Sequence, residues 1–172
     1  MNFTFETVYN QKALTAMAKA VRKTMRAKHS RRSHIFGSII AVVGAAFVAK
    51  DIVNSAFEMS SFATLVAVII LVAALIFEDK MNAYFAGKRA MQGTQNVKIT
   101  FNEEGYISET QAGTTHWKYD NIAQLARTGD YIAFVFSANH AQVYDTKCLT
   151  GGTVQQFLEF IEQKTGKKMQ SI

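Results

Sequence analysis

From Met59 to Phe77 the chain reads MSSFATLVAVIILVAALIF, nineteen residues without a charge. As a helix this run extends about 28 Å, close to the roughly 30 Å of a bilayer's hydrocarbon core. Eleven of the nineteen are Leu, Ile, Val or Phe, each favouring insertion by about 0.3 to 0.6 kcal/mol at the centre of a helix. A helix in the core of a soluble protein would show a polar stripe over that length, and this one shows none. The run therefore predicts a span over residues 59–77.

A second charge-free stretch, Ile35 to Ala49, is shorter. It reaches a span's length only if it continues to Val53, which predicts a span over 34–53 with Lys50 and Asp51 at the far interface, where the lysine can snorkel. Only KDIVNSAFE separates the two runs, too little for a domain, so residues 34–78 should form a tight antiparallel hairpin. Ser33, Gly37, Ala41, Ala45 and Ala49 recur every four residues. A small-residue face of that kind admits another helix, with Ala63 and Ala67 of the second span as partners, or a second copy of the chain. Gly37, Ala41 and Ala45 are thus the candidate helix-packing residues. Neither span carries a central carboxylate, arginine, histidine or proline, which argues against an ion path or pump built from the hairpin alone.

The formal charge of +6 is not spread along the chain. Residues 1–33 carry a net +7, residues 34–93 are neutral and residues 94–172 carry −1. A nucleic-acid-binding domain would hold its basic excess on the folded part, so nucleic acid is not an expected partner. Lys19, Arg22, Lys23, Arg26, Lys28, Arg31 and Arg32 instead precede the first span, all but Lys28 being candidate lipid-interface residues, Lys80, Lys88 and Arg89 follow the second, and the loop between offers only Lys50. The positive-inside rule then puts both termini in the cytoplasm of a multi-pass membrane protein. No cleavable signal peptide is expected, because the apolar run starts after a long basic segment. The single cysteine, Cys148, excludes an intramolecular disulfide and would stay reduced in the cytoplasm.

Residues 1–33 should form a strand, Phe3 to Tyr9, and a basic amphipathic helix from Gln11 to about Lys28 with Leu14, Met17, Val21 and Met25 on one face. That helix has two readings: its cations lie on anionic lipid headgroups, or its apolar stripe packs on the cytoplasmic part. Residues 79–93 continue as a juxtamembrane helix ending at Gly93, with Met81, Tyr84, Phe85 and Met91 as apolar anchors. In residues 94–172 the period becomes two, over Val97–Phe101, Tyr106–Gln111, Thr114–Tyr119, Tyr131–Ser137 and Ala141–Lys147. Val154, Phe157, Leu158 and Ile161 then share one helical face. The expected fold is α+β, a transmembrane hairpin inserted near the start of a small antiparallel sheet capped by a C-terminal helix.

Trp117, Tyr119, Asp120 and Ile122 form a W-x-Y-D-x-I motif, Tyr131 to Phe136 an aromatic strand, and Phe157, Leu158, Ile161, Lys164 and Gly166 an F-L-x-x-I helix ending K-x-G. With the basic helix and paired spans, the chain resembles over nearly its whole length the YcxB-like family of small bacterial membrane proteins. That resemblance implies a pleckstrin-homology-like (PH-like) barrel for the soluble part. One departure is QVYDTK, where family members often carry an I-I-P-K-like stretch; Lys147 holds the lysine position. The family has no established catalytic residue, so none carries over.

The residues themselves assign no catalytic, cofactor or metal role. His116 neighbours Trp117 in a strand and so faces the opposite side, His140 sits in a turn, and no pair of ligands has C-x-x-C or i, i+4 spacing. Glu103, Glu104, Asp120, Asp130 and Asp145 fall at turns or strand ends. Gly151-Gly152 ahead of a helix offers anion-binding amides, or Thr153 caps them. The expected function is a non-enzymatic, membrane-anchored module binding a protein or a lipid headgroup, with Lys118, Arg127 and Lys147 as candidate headgroup cations. The alternative is an accessory subunit docking through its hairpin. The partners expected are the lipid bilayer and a second copy or another membrane protein.

Overall fold

A computed structural model describes residues 2–172. The fold is α+β. Strand β1 (Phe3–Val8) leads into four helices, α1 (Gln11–Lys23), α2 (Ala27–Val53), α3 (Met59–Ile76) and α4 (Glu78–Arg89). Strands β2 (Asn96–Phe101), β3 (Tyr106–Thr110), β4 (Gly113–Trp117), β5 (Gln124–Thr128), β6 (Tyr131–Ser137), β7 (His140–Asp145) and β8 (Leu149–Thr150) follow, and helix α5 (Val154–Thr165) and strand β9 (Met169–Ser171) close the chain.

The strands form two sheets, ordered β4-β3-β2-β1-β8 and β7-β6-β5-β9. β1 lies antiparallel between β2 and β8, with Phe3 opposite Phe101 and Val8 opposite Asn96. Alternation turns Phe3, Phe5 and Thr7 inward. The two phenylalanines meet Phe101, Phe134, Tyr144 and Phe157 in an aromatic core closed by α5, with Phe5 and Phe157 rings 4.8 Å apart, edge to face. Core hydroxyls find partners: those of Tyr106 and Tyr144 donate to Gln142 Oε1 at 3.0 and 2.6 Å. Burial raises the pKa of both. Helix α5 starts at a Thr153–Gln156 capping box and stops at Gly166 in the left-handed region.

The second sheet is covered on both faces. Leu125, Ile132 and Phe134 face the aromatic core, while Ala126, Ala133, Val135 and Val143 face Ala13, Ala16 and Ala20 of α1. Small side chains on both sides let the helix lie close to the sheet. Burial on both faces also erases the alternation expected of a half-exposed strand, and β5 carries no period-two signal for that reason. β9 runs parallel to β5, so the expected purely antiparallel single sheet becomes one antiparallel and one mixed sheet.

Two helix boundaries differ from expectation. α1 ends at Lys23, where the Ala20 carbonyl accepts the N–H and hydroxyl of Thr24 and the chain turns before Ala27. The basic residues 27–33 therefore begin α2 and continue unbroken into its apolar part. α4 ends at Arg89 and not at Gly93.

α2 and α3 are long and apolar enough to cross a membrane. They pack as a hairpin on a seam different from the expected four-residue stripe. A Cβ added to Gly37 would meet Leu75 at 3.1 Å, and one added to Gly44 would meet Val68 at 2.6 Å. Gly37, Gly44 and Asp51, with Ala41 and Val48 between them, repeat every seven residues. At about 100° per residue a step of four drifts about 40° each time, whereas a step of seven slips back only about 20°. Ala45 and Ala49 consequently rotate outward, as do Ala63 and Ala67 on α3, and all four are exposed. At the far end Ser61 donates to Asp51 at 2.5 Å.

Candidate functional site

The base of the hairpin is where the helices, the β domain and most of the cations meet. Arg22, at the end of α1, donates from Nε and Nη2 to the two carboxylate oxygens of Asp79 at 2.6 Å each, and its Nε lies 3.8 Å from Glu78. These carboxylates raise the guanidinium's pKa, the hydrogen bonds to Asp79 foremost. Glu78 also pairs with His34 Nε2 at 2.7 Å. Arg26 reaches the β6–β7 turn and donates to Asn139 Oδ1 at 2.7 Å. Six of the eight Lys and Arg residues of the N-terminal segment therefore divide by environment. Lys19 bonds Thr128 Oγ1 and the Ile172 carbonyl, Arg22 is paired, Arg26 tethers the β domain, and Lys23, Arg31 and Arg32 are exposed.

Two clefts flank this base. One, of about 540 Å³, lies between α1, α4 and the β6–β7 turn, with Leu14, Met17, Val21 and Phe85 as walls. The other, of about 410 Å³, fills the elbow between the end of α1 and the start of α2, where Lys23, Ala27, Ser30, Arg31 and Ile35 face one another. Composition marked the cations, but Ser30, Asn139 and the Glu78-Asp79 pair went unnoticed. The acidic pair was visible as the first charges after an apolar run; the roles of Ser30 and Asn139 depend on contacts across the fold.

Lys118, Arg127 and Lys147 do not form one site. Thr128 pairs with Tyr131 and Tyr131 with Asp145 at one end of β6, where Lys147 bonds Asp130 at 2.6 Å and Arg127 bonds the Gly129 carbonyl. Asp130 raises the Lys147 pKa. Lys118 follows Trp117, whose ring packs on Phe136 and His140 at the other end. That end adjoins Arg26, whereas at the Arg127–Lys147 end Thr128 accepts from Lys19 of α1. Burial against these rings lowers the His140 pKa. His116 is exposed, and Cys148 is exposed and free. Among the described residues no three His, Cys, Asp or Glu side chains converge as a metal site.

No family model, curated protein or solved structure matches the chain.

Proposed function

We propose that this chain is a membrane-anchored binding module of the YcxB-like type. α2 and α3 cross the cell membrane as a hairpin, both termini are cytoplasmic, and a PH-like β domain held at the inner leaflet binds a lipid headgroup or a protein without catalysing a reaction. The observation that carries this reading is the register of β1 with β2. Residues 3–8 pair with residues 96–101 over their full length, so the segments before and after the two apolar helices share one compartment. An even number of crossings follows, and the cation excess ahead of α2 selects the cytoplasm.

The helices' surfaces support the same reading. Phe36, Val42, Phe47, Phe62, Ile69 and Ile70 are each at least half exposed. A helix apolar on every side belongs in a protein core or in lipid, and neither α2 nor α3 is enclosed by protein. A second reading, an accessory subunit docking through the hairpin, draws on Ala45 and Ala49, small residues left outward once the hairpin has formed.

Cys148, the only cysteine and an exposed one, gives the test. A membrane-impermeant maleimide should label it only in permeabilised cells, and a C148S/A56C variant, with its thiol in the α2–α3 turn, should be labelled in intact cells. Labelling of Cys148 in intact cells, or release of the protein by an alkaline wash, would refute the reading.

A further inference from the structure

The first turns of α2 oppose a general preference. Aligned peptide dipoles leave about half a positive charge at a helix N-terminus, which favours acids there. α2 has no acid in its first turn and no side-chain cap. Instead Arg26, Lys28, Arg31 and Arg32 crowd its start, with Lys23 one turn earlier on α1. A topology signal accounts for the cations, but not for two further features.

The first is Ser30, which is only 8% exposed. Its N–H bonds the Arg26 carbonyl, yet its hydroxyl has no hydrogen-bond partner among the described residues. That hydroxyl is free to donate to a ligand that enters the cleft it lines. The second is the elbow cleft of about 410 Å³ that Ser30 lines together with Lys23, Ala27, Arg31 and Ile35. Arg22 and His34 complete its lining, which holds no carboxylate side chain. Asp79 and Glu78, the acids nearest to it, are held by Arg22 and His34. The cleft thus presents donors and positive charge, and Ile35 marks its edge where the α2 surface becomes apolar.

We propose that this elbow binds the phosphodiester of an anionic phospholipid. The Ser30 hydroxyl and the side chains of Lys23 and Arg31 donate to the phosphate oxygens, the open end of α2 supplies the field, and the acyl chains follow the exposed apolar face beyond Ile35. A phosphate at a helix N-terminus is a recurrent arrangement because open N–H groups and dipole act together. The proposal rests on the membrane reading of α2 and α3 and adds a ligand class and its contacts.

The test uses the full chain purified in a neutral detergent and follows its thermal unfolding midpoint against added phosphatidylglycerol, phosphatidylcholine or inorganic phosphate. Phosphatidylglycerol should raise the midpoint saturably and the other two should not. Ser30→Ala should weaken the apparent affinity about tenfold, the loss of one charge-assisted hydrogen bond, without lowering the lipid-free midpoint. Ala27→Asp should raise the lipid-free midpoint by placing an acid at the dipole's positive end and also remove the lipid response. Equal stabilisation by phosphatidylcholine, an undiminished response in both variants, or an equal effect of inorganic phosphate would overturn the proposal. Recovery of the protein from cells without detergent would overturn the membrane reading instead.

Discussion

Arg22 and Asp79 meet through two parallel contacts of 2.6 Å, with side chains only 18% and 16% exposed. Such a bidentate pair is stronger than a surface ion pair, and removing one partner strands the other's charge in a partly dry site. Arg22→Gln or Asp79→Asn should each destabilise the protein by about 1 to 3 kcal/mol. The double variant should lose less than the sum of the two, which a double-mutant cycle on thermal unfolding in detergent would measure. Additive losses would mean that the pair does not join α1 to α4. Counting charges along the chain reads Arg22 as one more cation before a span, because its partner lies 57 positions away. Lys19 is misread in the same way, since its acceptors are Thr128 and Ile172. Residues that act through distant partners are invisible to composition, whereas Phe3, Phe5 and Thr7 announce their inward face by alternation alone.

Among the elements, the helical hairpin separates what the sequence makes legible from what it hides. The existence of two apolar helices and a short turn follows from charge-free length. The packing face does not, because a four-residue stripe and a seven-residue seam share Gly37 and Ala41 and diverge only as the helix rotates. Gly44 makes the difference testable, since a Cβ there would stand 2.6 Å from Val68 Cγ2. Gly44→Leu should therefore force the helices apart at a cost of about 1 to 3 kcal/mol. Ala45→Leu, on an exposed neighbour, should change stability by no more than about 0.5 kcal/mol. Unfolding midpoints of the two variants in detergent check this, and size-exclusion chromatography of Ala45→Leu bears on the docking alternative. Loss of an assembly in that variant would favour an accessory subunit; an unchanged profile would favour the self-contained module. β5 and β9 were illegible for separate reasons. β5 is buried on both faces at Leu125 and Ala126, and β9 has three residues and pairs in parallel with a strand more than forty positions earlier.

For the molecule as a whole, chain order couples two processes that differ in physics. β1 and α1 precede the hairpin, and every other strand follows it, yet β1 sits between β2 and β8 in the finished sheet. The sheet can close only after residues beyond α4 have emerged on the side where β1 waits. On the membrane reading proposed above, insertion of α2 and α3 draws on their own apolar surface, whereas the β domain draws on its aromatic core. Phe5→Ala separates the two. Phe5 is fully buried and its ring lies within 6 Å of those of Phe101, Tyr144 and Phe157. Truncating it should cost about 3 to 5 kcal/mol, a large part of the 5 to 15 kcal/mol that holds an ordinary domain together. Limited proteolysis of membranes carrying this variant should degrade residues beyond 94 much faster than in the parent protein, while the hairpin stays in the membrane fraction. The opposite result, loss from the membrane together with the β domain, would mean that the α1–α4 joint and its Arg22–Asp79 pair make insertion depend on the closed sheet. Because α1 packs on the second sheet through Ala13, Ala16 and Ala20 and on α4 through Arg22, a loosened β domain should also release the elbow at the start of α2. Proteolytic sensitivity near Lys23 and Arg26 should then rise with that of the domain, which ties the elbow cleft to the folded state of the β domain.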